Sequence, residues 1–231
     1  MEEICLVINE IPAILWGAPS EKVYLFIHGK NGNKEAARDF AIIAASKGYQ
    51  VISIDLPEHG ERKQGRQSFT PWCVVPELRA VMTWAKQCWS TICLRADSIG
   101  AWFSMLSFAE DNIEKCLFVS PVLDMEKLIC TMMKWASVSE EKLRQEQEIQ
   151  TNFGEKLSWE YLSYVREHLI TEWNIPTAIL YPENDNLTER NTVDRFVAEF
   201  KCELKVSPNG EHWFHTSEQL DILEQWTKTV I

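Results

Sequence analysis

The sequence predicts an α/β fold built on a mostly parallel sheet. Two observations carry this. Short apolar runs alternate with longer stretches of helical spacing, and the runs are apolar throughout, as strands covered on both faces are. Strand–helix alternation implies parallel pairing through right-handed crossovers.

Taken in order, Ile4 to Ile8 and Ala13 to Trp16, joined around Asn9 and Pro12, read as a hairpin at one sheet edge. Val23 to Ile27 is the first buried strand, and Lys34 to Ser46 a helix stopped by Lys47-Gly48. Val51 to Ile54 is the next strand, followed by a helix over Pro76 to Cys88 with proline in its first turn. Ile92 to Leu94 and Leu117 to Val119 are strands on either side of a helix that opens near Ser98. Ala178 to Tyr181 and Glu203 to Val206 complete the strands, with helices over Glu189 to Phe200 and Glu218 to Lys228. One region breaks the alternation. Residues 121–175 are helical in pattern and read as a cap inserted into a single domain spanning 1–231, with Glu140 to Gln150 as a solvated helix face.

Composition bounds the function. The chain has 231 residues, 45% hydrophobic and 25% charged, enough apolar material for one sizeable core. Its net charge of −11 repels phosphate backbones and argues against nucleic-acid binding. No apolar stretch approaches the roughly 20 residues of a membrane helix, so membrane insertion is not expected. Seven cysteines without a CxxC pair, two of them (Cys93 and Cys116) inside apolar runs, suit a reduced, cytoplasmic protein. The acidic start Met1-Glu2-Glu3 is unlike a secretory signal. No metal-binding spacing, P-loop or GxGxxG occurs, so no cofactor is expected.

The chemistry concentrates in a few turns. Arg95-Ala96-Asp97-Ser98-Ile99-Gly100-Ala101 follows a strand and opens a helix. A serine with a small residue two positions away on each side is the nucleophile-elbow pattern, with Ala96 in place of the first glycine. The turn is too tight for large side chains there, and it lifts the hydroxyl to a helix N-terminus. The alternative for Ser98 is a simple helix cap. Asp97 could pair with Arg95 or Arg62.

Four further segments accompany it. Phe26-Ile27-His28-Gly29-Lys30-Asn31-Gly32 follows the first buried strand, and Asp55-Leu56-Pro57-Glu58-His59-Gly60 the second. Tyr181-Pro182-Glu183-Asn184-Asp185 and Asn209-Gly210-Glu211-His212 follow the last two. Together these turns resemble the α/β-hydrolase family over essentially the whole chain. The resemblance implies an α/β-hydrolase fold and a serine hydrolase, carboxylesterase- or thioesterase-like, with Ser98 as nucleophile, Asp185 as acid and His212 as base. It also implies an oxyanion hole from the backbone N–H groups of Lys30 and Ile99. Glu183 and Asp124 are rival acids, and His215 a rival base. His28 and His59 read as structural members of their turns, the latter with Glu58 where the family usually has glycine, and His168 as a surface residue.

The expected substrate is a small acyl compound, an ester or thioester. Trp102, Trp135, Trp159 and Trp213 are candidates for its pocket, with plain packing as the alternative. A peptidase, a C–C bond hydrolase or a non-catalytic binding protein on the same fold are the competing readings.

Overall fold

The computed structural model describes residues 1–231. Ten strands form: β1 (Glu3–Ile8), β2 (Ile11–Trp16), β3 (Lys22–Ile27), β4 (Gln50–Ile54), β5 (Thr91–Asp97), β6 (Cys116–Val119), β7 (Glu148–Gln150), β8 (Lys156–Ser158), β9 (Thr177–Asn184) and β10 (Glu203–Glu211). Eight helices accompany them: α1 (Arg38–Ser46), α2 (Pro71–Cys88), α3 (Ile99–Phe108), α4 (Met125–Trp135), α5 (Glu140–Glu146), α6 (Trp159–Glu167), α7 (Arg190–Phe200) and α8 (Ser217–Val230).

Eight strands make the central sheet in the order β1-β2-β4-β3-β5-β6-β9-β10. The β1–β2 and β2–β4 pairs are antiparallel, and every other pair is parallel. This is the predicted edge hairpin on a parallel sheet. The hairpin closes at Ile8 and Ile11, with Asn9 and Glu10 both in the left-handed region (φ 48° and 69°), as a tight two-residue turn matched to strand twist requires.

The sheet is covered on both faces. One face carries 42 buried apolar residues, including Val74, Leu78 and Met82 of α2, Phe103 and Met105 of α3, and Val193 of α7. The other carries 15, including Phe40 and Ala44 of α1 and Trp226 of α8. Strands between two such layers bury every position, as β4 does. That is why β3 to β6 read as unbroken apolar runs.

Several boundaries differ from the sequence reading. The predicted helix over Lys34 to Ser46 is a 3-10 turn, Lys34–Ala37, followed by α1. Helix α2 begins five residues earlier than expected: Pro71 occupies its first turn and Pro76 lies inside it. Strand β10 runs past Val206 to Glu211 through an irregularity after Ser207.

The segment between β6 and β9 is not purely helical. The expected helix over Glu140 to Gln150 stops at Glu146, because Gln147 takes φ 65°. The chain then reverses as an antiparallel pair, β7 with β8, placing Ile149 opposite Leu157. Leu157 is buried on the core, while Glu148 and Gln150 face water. Three residues of alternation are too short a signal to separate from the charged helix before them. Ser139 and Ser158 cap α5 and α6 by accepting from Lys142 and Tyr161 N–H. No helix is long and apolar enough to cross a membrane.

Candidate active site

Three strand ends converge at the carboxyl edge of the sheet. Ser98 sits between β5 and α3 with φ 52° and ψ −124°, a backbone conformation that costs an L-residue on the order of 1–3 kcal/mol. Its backbone is held on both sides. The Ser98 N–H donates to Val119 O at 3.0 Å, and its carbonyl accepts from Val122 N–H at 3.0 Å. The room around it is minimal. A Cβ on Gly100 would lie 2.7 Å from the carbonyl oxygens of both Ile27 and His28, and one on Gly29 would lie 2.9 Å from the Ser98 Cβ. Small residues at this turn are therefore a steric requirement. Ala96, fully buried in β5, satisfies it where the family pattern has glycine.

The Ser98 side chain does not cap α3. Its hydroxyl lies 2.8 Å from His212 Nε2, in position to donate to it. His212 Nδ1 in turn lies 3.0 and 2.9 Å from the two Asp185 carboxylate oxygens. The Asp185 side chain is fully buried and the His212 side chain largely so. Asp185 Oδ1 also accepts from the N–H groups of Leu187 and Thr188 at 2.8 and 2.9 Å, which fixes the carboxylate. The structure thus brings Ser98, His212 and Asp185 into one hydrogen-bonded line.

The rivals lie elsewhere. Asp124 caps α4, accepting from Lys127 N–H at 2.9 Å, and pairs with Arg195. Glu183 accepts from Asn209 N–H at 3.0 Å, which ties the chain leading to His212 back onto β9. His215 donates its Nδ1 proton to Trp213 O, and the exposed His168 stacks on Tyr164. Asp97 pairs with Arg95 at 2.8 Å, and the buried Arg95 guanidinium carbon lies 5.3 and 5.8 Å from the Phe40 and Trp226 ring centroids. Arg62 is engaged by Glu77.

The expected oxyanion donors both flank Ser98. Ile99 N–H is the first of α3 and has no intrahelical partner. Lys30 N–H follows Gly29, which abuts Ser98, and donates to no other group of the chain. The Lys30 side chain reaches Glu155, between β7 and β8, so the inserted segment touches this loop. Nothing in the sequence signals that contact across 125 positions.

Beneath the loop lies a charged knot. Asp55, buried, accepts from Lys34 N–H and Nζ and from Glu61 N–H. Burial would raise its carboxyl, but these donors hold it below the usual range. The buried Lys34 ammonium also meets Glu61 and Glu35, and despite its burial its pKa is raised.

The four candidate pocket tryptophans do not gather at one place. Trp102 is 2% exposed and stacks on Tyr161 of α6 at 6.0 Å. Trp159 is partly buried against the core. Trp135 packs against Phe153 at the surface, and Trp213, 76% exposed, stacks on His215. The aromatic group that joins α2, α3 and α6 is instead Trp72, Trp102, Tyr161 and Tyr164.

No family sequence model matches the chain, and no curated protein matches it in sequence. Solved structures do. Est1E from Butyrivibrio proteoclasticus, in a structure with ferulic acid bound, superposes with TM-score 0.79 at 19% identity, covering 98% of this chain and 96% of that one. The Pyrococcus furiosus esterase Pf2001 gives 0.69 at 18% identity, over 99% and 87%. The thioesterase domain from the curacin biosynthetic pathway gives 0.61 at 19% identity, over 98% and 99%. The fold is that of the α/β hydrolases, as the turn motifs imply.

Proposed function

We propose that the protein is a serine hydrolase that cleaves a carboxylic ester or thioester through an acyl-enzyme. The observation that carries this is the line Ser98 Oγ, His212 Nε2, His212 Nδ1, Asp185, with 2.8 and 2.9 Å links. His212 takes the Ser98 proton as the hydroxyl attacks the acyl carbon, and Asp185 holds the imidazole in one tautomer and stabilises its cation. The oxyanion that develops is met by the N–H groups of Lys30 and Ile99, at the positive end of α3. His212 returns the proton to the leaving alcohol or thiol. It then activates the water that releases the acid and frees Ser98.

The acyl group would lie toward Trp102, one helical turn beyond Ser98, with Tyr161 stacked over it. The segment from α4 to α6 would act as the cap on that side. An apolar or aromatic acyl chain suits such a lining, and Est1E, with its bound ferulic acid, supports including aromatic acids among the candidates. The seven free thiols fit a reducing compartment.

The test is labelling with a fluorophosphonate probe, together with hydrolysis of ester and thioester panels graded by acyl length and aromaticity. Wild-type protein is expected to be labelled at Ser98 and to turn over at least one ester series, while Ser98→Ala is unlabelled and inert with an unchanged melting temperature. Native protein that neither labels nor turns over any ester would overturn the reading.

A further inference from the structure

Two histidines outside the catalytic line hold the loop that carries the Lys30 N–H. His28 and His59 are 1% and 6% exposed, with ring centroids 5.1 Å apart, and the Phe69 ring lies 4.5 Å beyond His59. Each ring bonds at both nitrogens. His28 Nε2 accepts from Leu56 N–H at 3.1 Å, and His59 Nε2 accepts from Asn31 N–H at 3.0 Å. With Nε2 accepting, the ring proton of each lies on Nδ1, where His28 donates to Gly29 O and His59 to Pro57 O, both at 2.7 Å.

The consequence for the loop is geometric. Gly29 O receives two donors, His28 Nδ1–H and Gly32 N–H at 3.1 Å. A trans peptide is planar, so its N–H points opposite to its carbonyl. Pinning Gly29 O therefore sets the direction of the Lys30 N–H. The next peptide N–H, of Asn31, is pinned by His59, and Asn31 itself holds φ 63°. Gly32 closes the turn where a Cβ would meet the His28 ring at 3.0 Å. Both peptides flanking Lys30 are thus fixed by a neutral imidazole anchored to the 55–60 turn.

We propose that His28 and His59 are positioning residues for the oxyanion donor, acting together as a clamp that aims the Lys30 N–H. The assignment rests on the hydrolase reading above. Neither ring hydrogen-bonds to Ser98 or His212; each acts through the backbone of the loop. His59 is the member to test, since its loss leaves the more deeply buried His28 in place.

The substrates are a p-nitrophenyl ester and its thionoester analogue, whose C=S is a poor hydrogen-bond acceptor. His59→Ala should lower kcat on the oxoester about 100-fold with KM changed less than threefold, the loss expected when one oxyanion donor is misplaced by about 1 Å. Because the thionoester draws little on that donor, the oxo-to-thiono rate ratio should fall about tenfold. His59→Gln, whose amide oxygen can replace Nε2 as acceptor, should recover most of the loss. If His59→Ala does not fold, His59→Asn replaces it: the amide keeps the donor to Pro57 O but lacks the acceptor for Asn31. Folded protein with kcat within threefold of wild type overturns the clamp. So does an equal loss on both esters, which signals only a smaller active fraction. Absence of wild-type labelling at Ser98 overturns the hydrolase reading itself and the clamp with it; labelled wild type with unchanged His59 variants overturns the clamp alone.

Discussion

The carboxyl edge of the central sheet and the segment from α4 to α6 are held by different chemistry. At the sheet edge, five buried polar side chains are matched: Asp185, Asp55, Lys34, His28 and His59 each have protein partners at 2.7 to 3.1 Å. Glycines there have no room for a methyl group. In the segment, ion pairs stand at the surface: Arg166 with Glu126 and Glu140, Lys156 with Glu148, and Lys142 with Glu146. Exposed pairs of this kind contribute about 0–1 kcal/mol each. The segment's attachment comes instead from Leu128, Leu143, Leu157, Leu162 and Val165 packed into the large core cluster. The sheet edge is thus held largely by directional bonds between buried groups, and the segment from α4 to α6 largely by apolar packing.

The largest test of this contrast compares two aspartates. Asp185→Asn should lower kcat about 10⁴-fold, because the amide favours the wrong His212 tautomer. Asp124→Asn, at the start of α4, should change kcat less than threefold and cost less than about 1 kcal/mol, since asparagine also caps helices. The reverse order would make Asp124 the acid and break the comparison.

Acid supplies the second. Burial lowers the His28 pKa to about 4, its bond to Gly29 O offsetting only part of this, and burial lowers His59 as well. The charged neighbours are Asp55, Glu58 and Lys30. An unfolded chain takes these protons near pH 6.5, whereas the folded one refuses them. The stability His28 contributes is therefore complete above pH 6.5, is lost as pH falls toward 4, and amounts to on the order of 3 kcal/mol. Asp55, held low, adds a further loss below its ordinary range near 3.8. Equilibrium urea unfolding between pH 7 and 4 measures the first loss; His28→Gln should flatten it.

Glycine substitutions supply the third test. Gly100→Ala drives a methyl to 2.7 Å from two backbone oxygens and should cost roughly 3 kcal/mol or more. Gly154→Ala, in the β7–β8 turn with nothing within 4 Å but φ 86°, should cost only about 1 kcal/mol of left-handed strain. Thermal unfolding of the two variants distinguishes a packed edge from an open turn.

Much of this was legible in the chain. Strands buried on both faces leave unbroken apolar runs, so β3, β4, β5, β6 and β9 could be read directly. The elbow at Ser98 could be read because a tight turn excludes large side chains on either side. Three boundaries could not. Gln147 ends a helix by backbone conformation, Pro76 sits inside a helix that tertiary packing supports, and β7 with β8 pairs only three residues each. The chain holds ten tryptophans, and their places in the fold could not be read from it, because a large aromatic ring serves a core and a surface equally well.

Hydrophobic periodicity along the chain is enough to specify the sheet and its crossovers, while the order serine, acid, histidine is implied by the resemblance of its turns to those of the α/β hydrolases. Which carboxylate faces His212, which basic residue meets Asp97, and that His59 holds Asn31 while Lys30 reaches Glu155 emerge only in the folded chain. Those are meetings of side chains distant in sequence, set by how strand ends and loops align in space, and local preference along the chain carries no record of them.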